Sequence, residues 1–166
     1  MNTFAVVTGG GTSGHVLPAL AIADALVAAG HDASEIHYVG TEHGVETRLV
    51  PAAGYDHTLF DVVGLQRSFT TRNLAFVPKM WRATREAKRL LRSLQPKVVV
   101  NVGGYASFPA TWAARRLGIP YVVVSYDRRP GLVSKLMAKG AAACAAVASP
   151  LAWRATSSAR RRDSGC

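Results

Sequence analysis

The feature that most constrains the fold is the run from Thr8 to Ala19, T-G-G-G-T-S-G-H-V-L-P-A. It follows the apolar residues 4–7 and precedes the apolar-periodic segment 16–29, so we predict a buried strand, a glycine turn and a helix. This order places backbone N–H groups at a helix N-terminus, where a phosphate or diphosphate binds favourably. The glycines permit a close approach of the backbone. His15 on the rim of this turn is a candidate proton acceptor.

Apolar segments with strand and helix periodicity alternate along the rest of the chain. We predict strands at 3–8, 36–39, 57–63, 98–102, 121–124 and 143–148, and helices at about 16–29, 45–53, 73–94, 108–117 and 132–140. This alternation predicts right-handed crossovers and an α/β, doubly wound parallel sheet of the Rossmann-like kind. Residues 151–166 are rich in Ser, Ala and Arg, without apolar periodicity. We therefore expect one domain over residues 1–150, followed by a disordered basic tail.

A second glycine segment, V-N-V-G-G-Y-A-S-F-P-A at 100–110, repeats the order of the first. In a sheet of order 3-2-1-4-5 the two preceding strands are neighbours, and the crevice at their carboxyl ends is the topological switch point. We therefore expect both glycine loops to form one anion-binding site. Tyr105 and Ser107 are candidates for binding ligand oxygens, with simple packing as the alternative. Asp127 faces the same crevice, where it binds a sugar hydroxyl, accepts a proton or pairs with a neighbouring arginine.

Other interpretations of the first loop stay open at this point. Residues 9–14 contain G-x-G-x-x-G, which is typical of dinucleotide binding, but the acid expected after the second strand comes late, at Glu42. A dinucleotide-binding oxidoreductase fragment is thus one alternative, and a tight strand–helix turn without ligand is another. His15 is either a general base or a capping residue that bonds its own turn.

The chain is strongly basic, with a formal net charge of +10. Such a charge suits phosphorylated ligands, nucleic acid or an anionic membrane, but aromatic residues are not interleaved with the basic ones as nucleic-acid binding favours. The predicted helix at 73–94 combines basic residues with an apolar start, which is typical of helices at anionic membrane surfaces. The candidate docking residues are Leu74, Phe76, Lys79, Met80, Trp81 and Arg82. A non-catalytic peripheral membrane-binding module is therefore a further alternative, unless these apolar residues all belong to the core.

Cysteine content and hydropathy limit the classes of protein further. The two cysteines, Cys144 and Cys166, lack metal-ligand spacing, so we expect no metal site and a reducing compartment. No apolar run reaches the length of a membrane span, so we expect a soluble or peripheral protein.

Five motifs together resemble a known family. They are G-G-G-T-S-G-H-V-x-P-A-L-A-I-A, Y-V-G-T with G-V-E and L-V-P-A-A-G-Y, G-L-Q-R, N-V-G-G-Y-A-S-F-P-A and L-G-I-P, spread over about residues 3–150. They are similar to the N-terminal half of the MurG family in glycosyltransferase family 28. These enzymes are the UDP-N-acetylglucosamine:lipid I N-acetylglucosaminyltransferases of bacterial peptidoglycan synthesis. The resemblance implies the N-terminal half of a GT-B fold, with the C-terminal donor domain absent from this sequence.

The resemblance also implies a reaction and its partners. The acceptor is undecaprenyl-diphospho-N-acetylmuramoyl pentapeptide, and its C4 hydroxyl attacks C1 of the N-acetylglucosamine of UDP-N-acetylglucosamine with inversion. No cofactor and no metal are implied. The expected location is the cytoplasmic face of the bacterial plasma membrane, where other cell-wall enzymes are candidate partners. We expect this chain alone to have little transferase activity.

Site residues follow from the resemblance by motif. Thr12, Ser13 and Gly14 are expected to contact the donor, and His15 is the candidate catalytic base. The acceptor diphosphate is expected between the loops that contain Gly10, Gly11, Gly103 and Gly104. The patch near Trp81 resembles the family's membrane-docking surface. The chain departs from the family's H-E-Q-N motif, where it has V-S-Y-D: Ser125 replaces the glutamate and Asp127 replaces the asparagine.

Overall fold

The computed structural model describes residues 3–64, 76–125 and 131–146. Its six strands are β1 (Ala5–Gly9), β2 (Ile36–Thr41), β3 (Asp56–Phe60), β4 (Val98–Gly103), β5 (Tyr121–Ser125) and β6 (Ala143–Ala146). They form one parallel sheet of order β3-β2-β1-β4-β5-β6. The predicted sheet is therefore confirmed, and β1 and β4 are its central neighbours. Their carboxyl ends form the switch point at which ligands bind in such sheets.

Helices cover both faces of the sheet. They are α1 (Ser13–Ala28), α2 (Glu46–Ala52), α3 (Phe76–Leu94), α4 (Phe108–Leu117) and α5 (Leu132–Ala138). Successive residues of a strand point to opposite faces: Val6 packs in a core with α3 and α4, whereas Val7 packs in a second core with α1 and α2. The doubly wound architecture predicted from the alternation of strands and helices is thus confirmed.

The first helix begins earlier than predicted. The carbonyl of Thr12 accepts hydrogen bonds from the amides of His15 (3.0 Å) and Val16 (3.1 Å), so helical geometry starts inside the glycine run. At the other end Gly30 has φ +102, and its amide donates to the carbonyl of Val27 (2.9 Å). Glycine directly after the C-cap residue Ala29 ends the helix with a positive φ, which is the position where glycine is most common at helix ends.

Some predictions concern residues outside the described ranges. They are the start of the third helix at 73–75, the end of the sixth strand at 147–148, and the tail at 151–166. Within the described ranges no helix combines the length and the apolar character that crossing a bilayer requires. The same residues contain no group of three metal-ligating side chains.

Candidate functional site

The two glycine loops meet at the carboxyl ends of β1 and β4. Residues 10–12 connect β1 to α1, and residues 104–107 connect β4 to α4. A Cβ atom on Gly104 would clash with the carbonyl oxygen of Gly10, and Gly104 has φ +80. Both the contact and the backbone conformation therefore require glycine at position 104. The convergence of the loops that strand order predicts is confirmed.

His15 lies where the loops meet, in the first turn of α1. A Cβ atom on Gly103 would lie 3.2 Å from its Cε1 and Nδ1 atoms, and one on Gly104 would lie 3.0 Å from its Cδ2 atom. The side chain is partly exposed. Among the described residues, no group forms a hydrogen bond with the ring nitrogens of His15. This part of the structure therefore does not support the alternative in which His15 caps its own turn. The imidazole can therefore meet a ligand at the crevice.

The first turn of α1 presents polar groups to the same crevice. Thr12, Ser13 and Gly14 are exposed. Within the described part of the chain, the Thr12 hydroxyl does not cap the helix, and the amides of Ser13 and Gly14 have no acceptor. The first N–H groups of a helix lack intrahelical partners and carry its positive dipole end. This turn can therefore bind an anion with two amides and two hydroxyls.

Glu46 is a residue of this region that sequence reasoning missed. Its side chain is fully buried at the start of α2, and its Oε1 atom accepts hydrogen bonds from the amides of Gly11 and Thr41, both at 3.0 Å. The glycine loop is thus built over a carboxylate. The signal was present in the motif G-V-E, but nothing in the chain order shows that α2 folds back under the first loop.

Tyr105 forms a wall between the loops. A Cβ atom on Gly11 would clash with its ring, and one on Gly64 would lie 3.0 Å from its Cδ1 atom. Burial, and then the negative charge of Glu46, raise the pKa of Tyr105, so its hydroxyl stays protonated at neutral pH. The phenol remains partly exposed. It can therefore donate to a ligand oxygen in the crevice, as the sequence predicts, while its ring packs on the first loop.

The second loop is held by a buried network. Asn101 accepts from the Gly103 amide (2.7 Å) and donates to the Thr111 hydroxyl (2.8 Å), which donates to the Ser107 carbonyl (2.7 Å). The Ser107 hydroxyl is itself buried and donates to the carbonyl of Gly104 (2.8 Å). The use of this hydroxyl inside the loop favours the packing alternative for Ser107 over a contact with ligand oxygens. Asp127, the remaining predicted site residue of the crevice, lies outside the described residues.

The candidate docking residues of α3 fall on two different faces. Val77 and Trp81 are 68% and 62% exposed and border an apolar groove of about 260 Å³. The other lining residues of the groove are Met80, Thr84, Phe108 and Trp112. The expectation of an exposed Met80 is wrong, because it is only 8% exposed and forms the floor of the groove as part of the core.

The cations beside the groove are not those that the sequence analysis chose. Lys79 bonds Asp61 (2.8 Å) and Arg82 bonds Glu86 (2.9 Å), and both line a separate polar pocket. The groove instead has Arg85 stacked 4.5 Å over Trp81, while Arg115 and Arg116 lie over the ring of Trp112. Leu74 lies outside the described residues, and of Phe76 only the backbone is described.

These features define an α/β domain in which two glycine loops converge beside a histidine. Residues 5–146 match the N-terminal domain of glycosyltransferase family 28. The chain therefore belongs to glycosyltransferase family 28, which confirms the predicted family and speaks against the oxidoreductase alternative.

Two curated relatives carry the same name. Proteins of Leuconostoc mesenteroides (40% identical) and Lacticaseibacillus casei (42% identical) are both called UDP-N-acetylglucosamine--N-acetylmuramyl-(pentapeptide) pyrophosphoryl-undecaprenol N-acetylglucosamine transferase. The matches cover 82% and 80% of this chain but only 37% and 36% of the relatives, so the chain spans little more than a third of their length.

Solved structures show the same fold. The crystal structure of MurG from Acinetobacter baumannii is 29% identical, has a TM-score of 0.75, and is matched over 87% of this chain and 41% of its own. The glycosyltransferase SsfS6 of Streptomyces sp. SF2575 is 20% identical with a TM-score of 0.53, over 82% of this chain and 43% of its own, and shows the fold alone. The predicted relation to one half of a GT-B fold is thus confirmed.

Proposed function

We propose that this chain provides the acceptor-binding half of an N-acetylglucosaminyltransferase. The enzyme transfers N-acetylglucosamine from UDP-N-acetylglucosamine to the C4 hydroxyl of undecaprenyl-diphospho-N-acetylmuramoyl pentapeptide. Its donor-binding half corresponds to the part of the relatives that this chain does not match. The observation that carries the proposal is the position of His15, which follows the first glycine loop in the chain, lies against Gly103 and Gly104 with its ring, and is partly exposed at the crevice.

The chemistry assigns a role to each part of the crevice. The acceptor diphosphate binds at the first turn of α1, where amides and the helix dipole favour negative charge. The His15 imidazole takes the proton of the C4 hydroxyl while the bond from O4 to C1 forms. The bond from C1 to the UDP oxygen breaks, and UDP leaves with its electron pair. The exposed side chains of Thr12 and Ser13 contact the donor.

We further propose that the apolar groove docks on the cytoplasmic face of an anionic membrane. Trp81 and Val77 supply exposed apolar surface, and the guanidinium groups of Arg85, Arg115 and Arg116 surround it. Apolar side chains ringed by cations favour an interface with anionic headgroups. Docking there brings the crevice within reach of an acceptor that is anchored in the bilayer.

Binding of the purified chain to nanodiscs tests the acceptor site and the docking surface separately. The nanodiscs contain phosphatidylglycerol, with or without the lipid-linked acceptor, and affinity is measured by biolayer interferometry. Gly104→Ala is expected to abolish the preference for acceptor-loaded discs, whereas Gly118→Ala, with a positive φ of +72 but no crowding, is expected to keep it. Trp81→Ser is expected to weaken binding to all discs, unlike Leu136→Ser on α5. Equal binding to loaded and empty discs would instead favour a membrane-binding module.

Transfer activity tests the role of His15. A chimera in which this chain replaces the matching residues of the Leuconostoc mesenteroides relative is assayed with radiolabelled UDP-N-acetylglucosamine. His15→Ala is expected to reduce transfer by about 10²–10⁴-fold, the range that general bases contribute. His57→Ala on β3 is the matched control and is expected to stay within about twofold of the unsubstituted chimera. Transfer by the His15→Ala chimera at the control rate would refute the assignment of the base.

A further inference from the structure

Glu46 is a buried acidic side chain that the reaction described above does not use. It is 0% exposed, and its Oε1 atom accepts from the amides of Gly11 and Thr41. Burying a carboxylate is costly unless hydrogen bonds satisfy it. The Oε2 atom is buried as well and has no partner among the described residues. Burial of this carboxylate directly under the first glycine loop is unfavourable for stability, which suggests that Glu46 serves the function of the loop.

Three separate segments each have a glycine next to the Glu46 side chain, and this leaves room for its carboxylate. A Cβ atom on Gly10 or Gly44 would clash with Glu46, and a Cβ atom on Gly40 would lie 3.0 Å from its Cγ atom. None of these three glycines has a positive φ. Their lack of a side chain is therefore explained by the space that Glu46 occupies, and not by backbone conformation. The first loop, the end of β2 and the turn before α2 thus form a socket around the carboxylate.

The hydrogen bond from Gly11 decides which amides face the crevice. Gly11 has φ +87, and its N–H group points down to Glu46 and not toward a ligand. The Tyr38 hydroxyl holds the end of β1, directly before this loop, because it donates to the carbonyl of Gly9 (2.6 Å). Burial and the charge of Glu46 raise the pKa of Tyr38, so this phenol stays a donor. The amides of Thr12, Ser13 and Gly14, which have no acceptor among the described residues, are left for an anion, and those of Ser13 and Gly14 lie in the first turn of α1.

We propose that Glu46 is a positioning residue, which removes the Gly11 amide from the anion site and fixes the loop so that the first turn of α1 binds the diphosphate. This inference rests on the proposed function, because it assigns the diphosphate to that crevice. Glu46 is buried and cannot touch a ligand in the crevice, so it acts only by holding the amides of Gly11 and Thr41 in place. A carboxylate one methylene shorter cannot bridge Gly11 and Thr41, whereas a glutamine of the same length keeps an oxygen at the Oε1 position.

Titration of the ¹⁵N-labelled 166-residue chain with inorganic pyrophosphate tests the assignment of the amides without any substitution. The Ser13 and Gly14 amide resonances are expected to move most, while the Gly11 amide keeps its low-field shift and its protection from exchange. A Gly11 amide that moves as far as those of Ser13 and Gly14 would overturn the proposal.

Two substitutions separate positioning from mere stability. Glu46→Asp is expected to weaken pyrophosphate binding at least tenfold and to shift the Gly11 and Thr41 amides to high field. Glu46→Gln is expected to bind pyrophosphate within about threefold of the unsubstituted chain, even where its thermal stability falls. Unchanged binding by Glu46→Asp would overturn the proposal. If the unsubstituted chain binds no pyrophosphate, the proposed function fails at the diphosphate site, whereas the amide shifts of Glu46→Asp still report whether Glu46 holds the loop.

Discussion

Replacing Gly11 by alanine probes the contact on which the whole crevice depends. Gly11 has φ +87, and an added Cβ atom would clash with the Tyr105 ring. The left-handed conformation costs a residue with a side chain about 1–2 kcal/mol. Forcing the ring aside adds about 1–3 kcal/mol, as other overpacked sites do. Gly11→Ala is therefore expected to lower the free energy of unfolding by about 2–5 kcal/mol.

A matched glycine separates the two costs. Gly118 ends α4 with φ +72, and a Cβ atom there would meet no described atom within 4 Å. Gly118→Ala is therefore expected to cost only the backbone share of about 1–2 kcal/mol. Unfolding in urea, followed by circular dichroism on the 166-residue chain, measures both variants.

A double-mutant cycle then assigns the excess to the ring. In a Tyr105→Ala background the steric share disappears, so Gly11→Ala is expected to cost no more than Gly118→Ala does. The coupling energy between positions 11 and 105 should thus be about 1–3 kcal/mol, as is usual for residues in contact. An equal cost of Gly11→Ala with and without the ring would refute the packing of Tyr105 on the first loop.

Two further predictions concern buried polar groups. Thr111→Val removes the hydroxyl between Asn101 and the second loop, so it is expected to cost about 1–3 kcal/mol in urea unfolding. Thr84→Val removes a hydroxyl that bonds within α3 at a partly exposed position, so it should lower the free energy of unfolding by less. Equal losses for the two variants would contradict a special role of the buried network that Thr111 joins. Burial lowers the pKa of His37, so the unfolded chain takes up a proton that the folded chain resists, and stability should fall as pH drops below about 6.5 until the folded pKa is passed. His37→Gln is expected to flatten this part of the stability–pH curve, and an unchanged curve would contradict the assignment.

The order of the sheet was predictable because it follows from local signals alone. Alternating strand and helix patterns leave few topologies when crossovers are right-handed. Two glycine segments after the first and fourth strands then have to meet at the switch point, and the histidine at the end of the first glycine turn has to lie beside them. This reasoning needs no side-chain detail, which is why the convergence at Gly10, His15 and Gly104 is confirmed.

Side-chain direction was the part that sequence reasoning could not provide. Met80 and Trp81 are adjacent in the chain, but one residue of an α-helix turns the side chain by about 100°, so one is core and the other is exposed. Ser107 is the last residue of a 3₁₀ turn at 105–107, and its hydroxyl donates back to the carbonyl of Gly104. Both outcomes depend on which neighbour a helix packs against, and the sequence pattern does not specify that neighbour.

Glu46 and Asn101 show why the two loops resemble each other in structure as well as in sequence. Each accepts a hydrogen bond from one glycine amide of a loop, Gly11 in the first and Gly103 in the second, and each is fully buried. A loop whose inward amide is already bonded keeps its shape before any ligand arrives, so less ordering remains to be done on binding. The amides that stay open then belong to the first turn of α1, where the helix dipole reinforces them. Under the proposed function, the crevice is therefore prepared for the diphosphate by side chains that do not themselves touch it.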